Sequence, residues 1–236
     1  AGRYPPGRDL RQIEAVAVFF ALFLGASVLG APAFVALGLA PLDAVFESVS
    51  GITSTGLTLT QGTMDWPLAG HVLRAWMQWC GGFAIALAGV VLILGPGASR
   101  GAARALGRAS IGERDILSST RAQARALLTA YGALTGVAVL AFLPLFPTWW
   151  EGVVLALSAV STGGFAPRPD SLASYSRAAQ AAVMLAGLAT AVSLLFYMRA
   201  RRDGLRAALG AETVAFGGLG EARLVGVGHG AGRVVH

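Results

Sequence analysis

The chain has 236 residues, 55% of them hydrophobic and only 13% charged, with 32 glycines and a mean hydropathy of +0.65. Soluble domains carry close to a quarter charged residues, so this composition excludes an ordinary solvated globule and a disordered chain, and it points to a bilayer. The net charge of +6 rests on arginine alone among the basic residues. It does not indicate nucleic acid, because the arginines lie between apolar runs too long for a soluble domain.

Taken in chain order, the first apolar run covers 13–39, far longer than the 7–15 residue core of a signal peptide, and is read as a retained span. A short apolar stretch ending in a glycine-threonine cluster follows, LDAVFESVSGITSTGLT at 42–58. The second span is predicted at about 67–94, and an arginine-rich loop then occupies 97–120. A third span is predicted at about 122–146, a second glycine-rich stretch, WEGVVLALSAVSTGGFA, at 150–166, and a fourth span at 178–198. The tail 203–236 is rich in glycine and is expected to be a poorly ordered cytoplasmic extension. Each long run holds the roughly 20 residues needed to cross about 30 Å of hydrocarbon.

Arginines at 3, 8 and 11, from 100 to 125, and from 199 to 206 belong on the cytoplasmic side. Both termini are therefore expected inside, with the chain in the cell (inner) membrane. The clusters are read as topology signals, with a regulatory docking surface as the alternative.

The chain repeats itself. Placing Gly56 over Gly164, an offset of 108, also superimposes Asp43 on Glu151, Val45 on Val153, Ser50 on Ser158, Thr53 on Ser161 and Ser54 on Thr162. The fold class is thus an all-α polytopic membrane protein with two parallel repeats, each a span, a short helix, a glycine-rich segment and a second span. Repeat one is assigned to 1–96, the basic loop to 97–120, repeat two to 121–202 and the tail to 203–236.

The stretch from 42 to about 52 covers about 16 Å as a helix, half the hydrocarbon depth, so it is expected to enter the membrane without crossing it. Pro41 and Asp43 mark its start, and a Thr148-x-x-Glu151 capping pattern marks its counterpart. Both helices then aim their negative C-terminal ends at the bilayer centre. Thr53, Ser54, Thr55 and Gly56, with Ser161, Thr162, Gly163 and Gly164, follow those ends and supply backbone carbonyls that can replace the water shell of a cation. No nucleophile triad or phosphate loop accompanies them, so no enzyme activity is expected. Cys80 allows no disulfide framework, and His71, His229 and His236 are too scattered for a metal site.

Glu47, one turn after Asp43, either anchors the loop or attracts cations. Gly81 and Gly82 serve close helix packing or a flexible point beside the pathway. Arg74 and Arg177 are expected to snorkel at the outer interface, Cys80 to be an inert packing residue, and Trp66, Trp76, Trp79, Trp149 and Trp150 to form an aromatic belt.

FESVSGITSTGLT, then QWCGGFAIALAGVVLIL from Gln78, then LSAVSTGGFA, resemble the Trk/Ktr/HKT superfamily of potassium transporters, most closely the TrkH-type membrane subunit. The resemblance spans about 10–200. It implies two parallel span, pore-helix, span repeats of the potassium-channel type, filter glycines at Gly56 and Gly164, potassium with some sodium tolerance as the transported ion held only at the filter, no directly bound cofactor, and a cytosolic NAD- or ATP-binding regulatory partner. Such proteins carry four repeats around one pathway, whereas two are present here. Further repeats or a second copy would be needed to complete a four-loop pore; the alternative is a non-conducting truncated or assembly protein. Gly56→Ser is expected to alter the potassium-to-sodium ratio while leaving expression intact.

Overall fold

The computed structural model of the chain describes residues 12–60, 63–94 and 120–191, and every regular element among them is helical. These are α1 Gln12–Ala36, α2 Pro41–Ile52, a 3-10 turn at Thr63–Asp65, α3 Leu68–Leu94, α4 Thr120–Phe142, α5 Trp149–Val160 and α6 Arg177–Ala191. The N-terminal arginines, most of the basic loop 97–120, the end of the fourth expected span and the tail 203–236 lie outside the described residues. By length and composition Val16–Ala36 and Ala124–Phe142 can each cross a membrane. The 27 residues of α3 measure about 40 Å, sufficient in length alone.

Local chemistry sets the boundaries. The first helix stops at Ala36, short of the expected 39, because Gly38 adopts φ +97° and the amides of Gly38 and Leu39 turn back onto the carbonyls of Val35 and Phe34. Three residues later Pro41, with its φ already suited to a first helical turn, opens α2. The fourth helix stops at Phe142 instead of 146, since Pro144 disfavours helical backbone at Leu143. Both short helices have 12 residues, about 18 Å, and their ends keep the offset of 108. At the start of α5 the capping pattern forms only in part. The Glu151 amide lies 3.4 Å from Thr148 Oγ1, but the carboxylate turns away to accept from Thr148 Oγ1, Arg168 and Tyr175.

The second helix packs between α1 and α3, while α5 packs among α3, α4 and α6. The larger apolar core surrounds α5 and includes Tyr131, Phe142, Phe146, Leu155, Val160 and Tyr175; a smaller one holds Phe34, Ala44 and Met77 beside α2. Outward faces remain apolar, with Leu29 82% exposed and Phe20 69%, which suits lipid rather than water. α1 admits α2 through small residues: Ser48 Oγ donates to the Ser27 carbonyl at 2.7 Å, beside Gly30.

The tightest approach is made by α3. A Cβ on Gly81 would overlap the carbonyl oxygen of Ile52, the last residue of α2, and a Cβ on Gly82 would lie 2.8 Å from Ser161 Cβ and 2.9 Å from the Tyr131 hydroxyl. Two consecutive glycines on one helix therefore receive the ends of both short helices. Farther along α3, a Cβ on Gly89 would meet no heavy atom of the described residues within 4 Å. Gly81→Ala is expected to lower stability by about 3 kcal/mol or more, beyond ordinary overpacking because the obstacle is main chain. Gly89→Ala should be neutral, and melting in detergent distinguishes the two.

Candidate ion-coordination site

After α2 and α5 the chain takes the same turn twice. The amides of Ser54 and Thr55 donate to the carbonyls of Gly51 and Ser50, and those of Thr162 and Gly163 donate to Ala159 and Ser158. This is the glycine-favouring helix stop in which one residue adopts left-handed backbone. Here that residue is Ser54 at φ +53° and Thr162 at φ +51°, each held against about 1–3 kcal/mol of strain. Ser54 Oγ donates to the Gln78 carbonyl at 2.7 Å, which fixes the first turn. Among the described residues, no hydrogen bond ends on a carbonyl of residues 53–56 or 161–164. Thr53 Oγ1 meets Thr55 Oγ1 at 2.7 Å and donates to the Val49 carbonyl.

The two loops touch at their glycines. A Cβ on Gly56, which has φ +78°, would lie 2.7 Å from both the nitrogen and the Cα of Gly164. On Gly164 the nearest atom would be 3.5 Å away, an ordinary contact. Gly56→Ser thus cannot be accommodated without moving the opposite loop. Thr55, Leu57, Thr162 and Gly164 are exposed, and a cavity of about 220 Å³ runs along the second loop between α5 and α6.

The loops are held from beneath by one face of α3, on which His71, Arg74, Gln78, Gly81 and Gly82 recur at helical spacing. Gln78, fully buried, accepts at Oε1 from Ser158 Oγ at 2.8 Å and from the Phe165 amide at 3.3 Å. Its amide also presses on Gly163, where a Cβ would overlap it. Arg74 is 2% exposed and does not snorkel: Nη2 pairs with Glu47 at 2.6 Å, Nη1 reaches the Ala166 carbonyl at 3.3 Å, and the guanidinium lies 4.0 Å from the centre of the Phe165 ring. Glu47, wholly buried, also accepts from Thr58 Oγ1 at 2.9 Å. Its carboxylate is thus paired inside the protein, away from solvent. Sequence reasoning missed Gln78 and misplaced Arg74, although polar residues spaced three and four apart in an apolar span were the available signal.

The second half has its own brace, built differently. Glu151 pairs with Arg168 at 3.0 Å and accepts from the Tyr175 hydroxyl at 3.0 Å. Burial pushes the Glu151 carboxyl up, but hydrogen bonds from Arg168, Thr148 and Tyr175 outweigh it and hold the carboxyl below its usual range. Asp43, its counterpart in the repeat, is half-buried and joins neither ion pair. Of the tryptophans, Trp76 and Trp149 are exposed as a belt requires; Trp79 instead donates to Thr135 Oγ1, and Trp66 and Trp150 flank His71. Arg177 is exposed and Cys80 half-buried.

Among the described residues no three His, Cys, Asp or Glu side chains are grouped to hold a metal ion. The coordinating atoms on offer are carbonyl and hydroxyl oxygens at the ends of two helices. Removing one partner of the Glu47–Arg74 pair, as in Glu47→Gln or Arg74→Leu, is expected to cost about 3–5 kcal/mol, whereas Glu47→Leu with Arg74→Met should recover much of that loss. A double-mutant cycle in thermal stability measures it. For Glu151, a depressed carboxyl contributes stability that is present above its unfolded-state value and lost as pH falls through the folded one. Arg168→Gln should therefore flatten the acid limb of the stability profile below about pH 4.5.

A profile of the family described as TrkH, cation transport protein, matches residues 30–196. Two relatives from Halomonas elongata are the Trk system potassium uptake proteins TrkI, 34% identical over 185 residues, and TrkH, 33% identical over 150. These alignments cover 77% and 61% of this chain but 36% and 30% of the relatives, so the chain spans about a third of the length of the curated relatives it matches. The crystal structure of the potassium transporter TrkH from Vibrio parahaemolyticus superimposes with a TM-score of 0.67 at 24% identity, over 83% of this chain and 39% of that one. The chain shares the fold of that structure, and the family match over 30–196 shows that it belongs to the TrkH family of cation transport proteins.

Proposed function

We propose that the chain supplies two loops of a potassium-uptake pathway across the cell membrane. The observation that carries this reading is the convergence of two helix C-terminal ends, each followed by carbonyls that no other group among the described residues engages, at the Gly56–Gly164 contact. Each helix end carries about half a negative charge. At about 4 Å and an effective dielectric of about 20, each attracts a monovalent cation by about 2 kcal/mol. Taking an ion out of water costs tens of kcal/mol, so the helix ends orient and concentrate the ion while direct ligation must replace its water. Carbonyls of Thr53, Ser54, Thr55, Gly56, Ser161, Thr162, Gly163 and Gly164 are the ligands assigned, with passage driven by the membrane potential. No covalent step is involved.

Two loops make half a ring, and the exposed sides of Thr55, Thr162 and Gly164 are where further loops would stand, from additional repeats or a second copy. The names of the Halomonas relatives support potassium as the ion. A cytosolic nucleotide-binding subunit would dock on the arginine-rich loop, with both chain termini on that same side. Glu47 and Glu151 serve as loop anchors through Arg74 and Arg168, and Asp43, in neither ion pair, serves as an electrostatic guide. Gly81 and Gly82 act through close packing at the base of the pathway.

Purified chain in liposomes is expected to take up potassium in preference to sodium, with uptake rising steeply with protein density if copies must pair. Absence of uptake at every density would support the non-conducting reading. In a conducting preparation Gly164→Ser, which the surroundings accommodate, should lower the potassium-to-sodium ratio while protein yield stays within about twofold. Gly56→Ser should reduce yield as well. An unchanged ratio in Gly164→Ser would count against the filter assignment.

A further inference from the structure

A small cavity of about 10 Å³ lies between α3, α5 and the segment leaving the second loop, bounded by His71, Arg74, Val154, Phe165 and Pro167. His71 and Arg74 are 3% and 2% exposed, and His71 Nε2 and Arg74 Nε are each buried with no hydrogen-bond partner among the described residues. Leaving such groups unmatched costs about 1–3 kcal/mol apiece.

The two nitrogens are chemically complementary. A neutral imidazole carries one donor and one acceptor nitrogen, so Nε2 accepts when the proton sits on Nδ1. The Arg74 Nε–H can only donate. The space is close to a single probe sphere, the minimum that holds one water and too little for an organic ligand. A cation is disfavoured by the guanidinium, and an anion has no free charge to meet because Glu47 already neutralises Arg74.

We propose that one structural water occupies this cavity, accepting from Arg74 Nε–H and donating to His71 Nε2. Its second hydrogen is available to the main chain of the 165–167 segment that closes the cavity. The water extends the brace between α3 and the second loop, and it depends on the packing alone rather than on the identity of the transported ion.

A density map of the purified protein at about 2 Å or better is expected to contain a peak about 2.7–3.2 Å from both nitrogens. Closed packing with no peak, or the two side chains bonded directly, overturns the proposal. A second measurement uses ¹⁵N-histidine-labelled protein carrying His229→Gln and His236→Gln, which leaves His71 as the only histidine. Solid-state NMR should give a neutral ring protonated on Nδ1 with magnetisation transfer from water to Nε2. A proton on Nε2, or no transfer from water, overturns it.

Discussion

The carbonyl ends of α2 and α5 can lie side by side only because α3 presents no side chains where they arrive. Gly81 meets Ile52 and Gly82 meets Ser161, so the helix axis itself forms the floor beneath both loops. Any Cβ there would push at least one helix end away, and the loops that follow would separate. Buried helix ends also need partners for their last carbonyls. The paired left-handed turns at Ser54 and Thr162 meet that need from within each loop, which leaves the next carbonyls uncommitted.

The two halves share a backbone but not a set of side-chain supports. Helix bounds, C-cap torsions and turn hydrogen bonds correspond at the offset of 108. The ion pairs do not: Glu47 is held by Arg74 from α3, whereas Glu151 is held by Arg168 from its own loop. Gln78 and Arg74 both reach from the first half into the second, through Ser158, Phe165 and Ala166. The second loop is consequently positioned by the first repeat. Backbone contact confines Gly56, while Gly164 keeps an open side, so nominally equivalent glycines are under unequal constraint.

Much of the architecture was legible in the amino-acid order. The apolar runs located the helices, the offset of Gly56 and Gly164 located the matching turns, and Pro41 and Thr148 marked where the short helices begin. Helix ends were less legible, since the turn at Gly38 and the restriction imposed by Pro144 act within otherwise unbroken apolar stretches. Side-chain partnerships were hardest. Arg74 looks like an interfacial anchor until the chain is folded, because its acid lies on a different helix 27 positions earlier at Glu47. Nothing local in the sequence chooses between Asp43 and Glu47 as that acid. The choice follows from which face of α2 meets α3, where Glu47 and Ser48 are buried and Asp43 is not.

The central claim is that both helix ends address one shared cation. Anomalous scattering from crystals of the assembled protein soaked in rubidium or thallium tests it directly. The account predicts a peak in direct contact with carbonyl oxygens from both the 53–56 and the 161–164 segments. A map in which the heavy cations avoid these segments, or bind to one of them without the other, would contradict it.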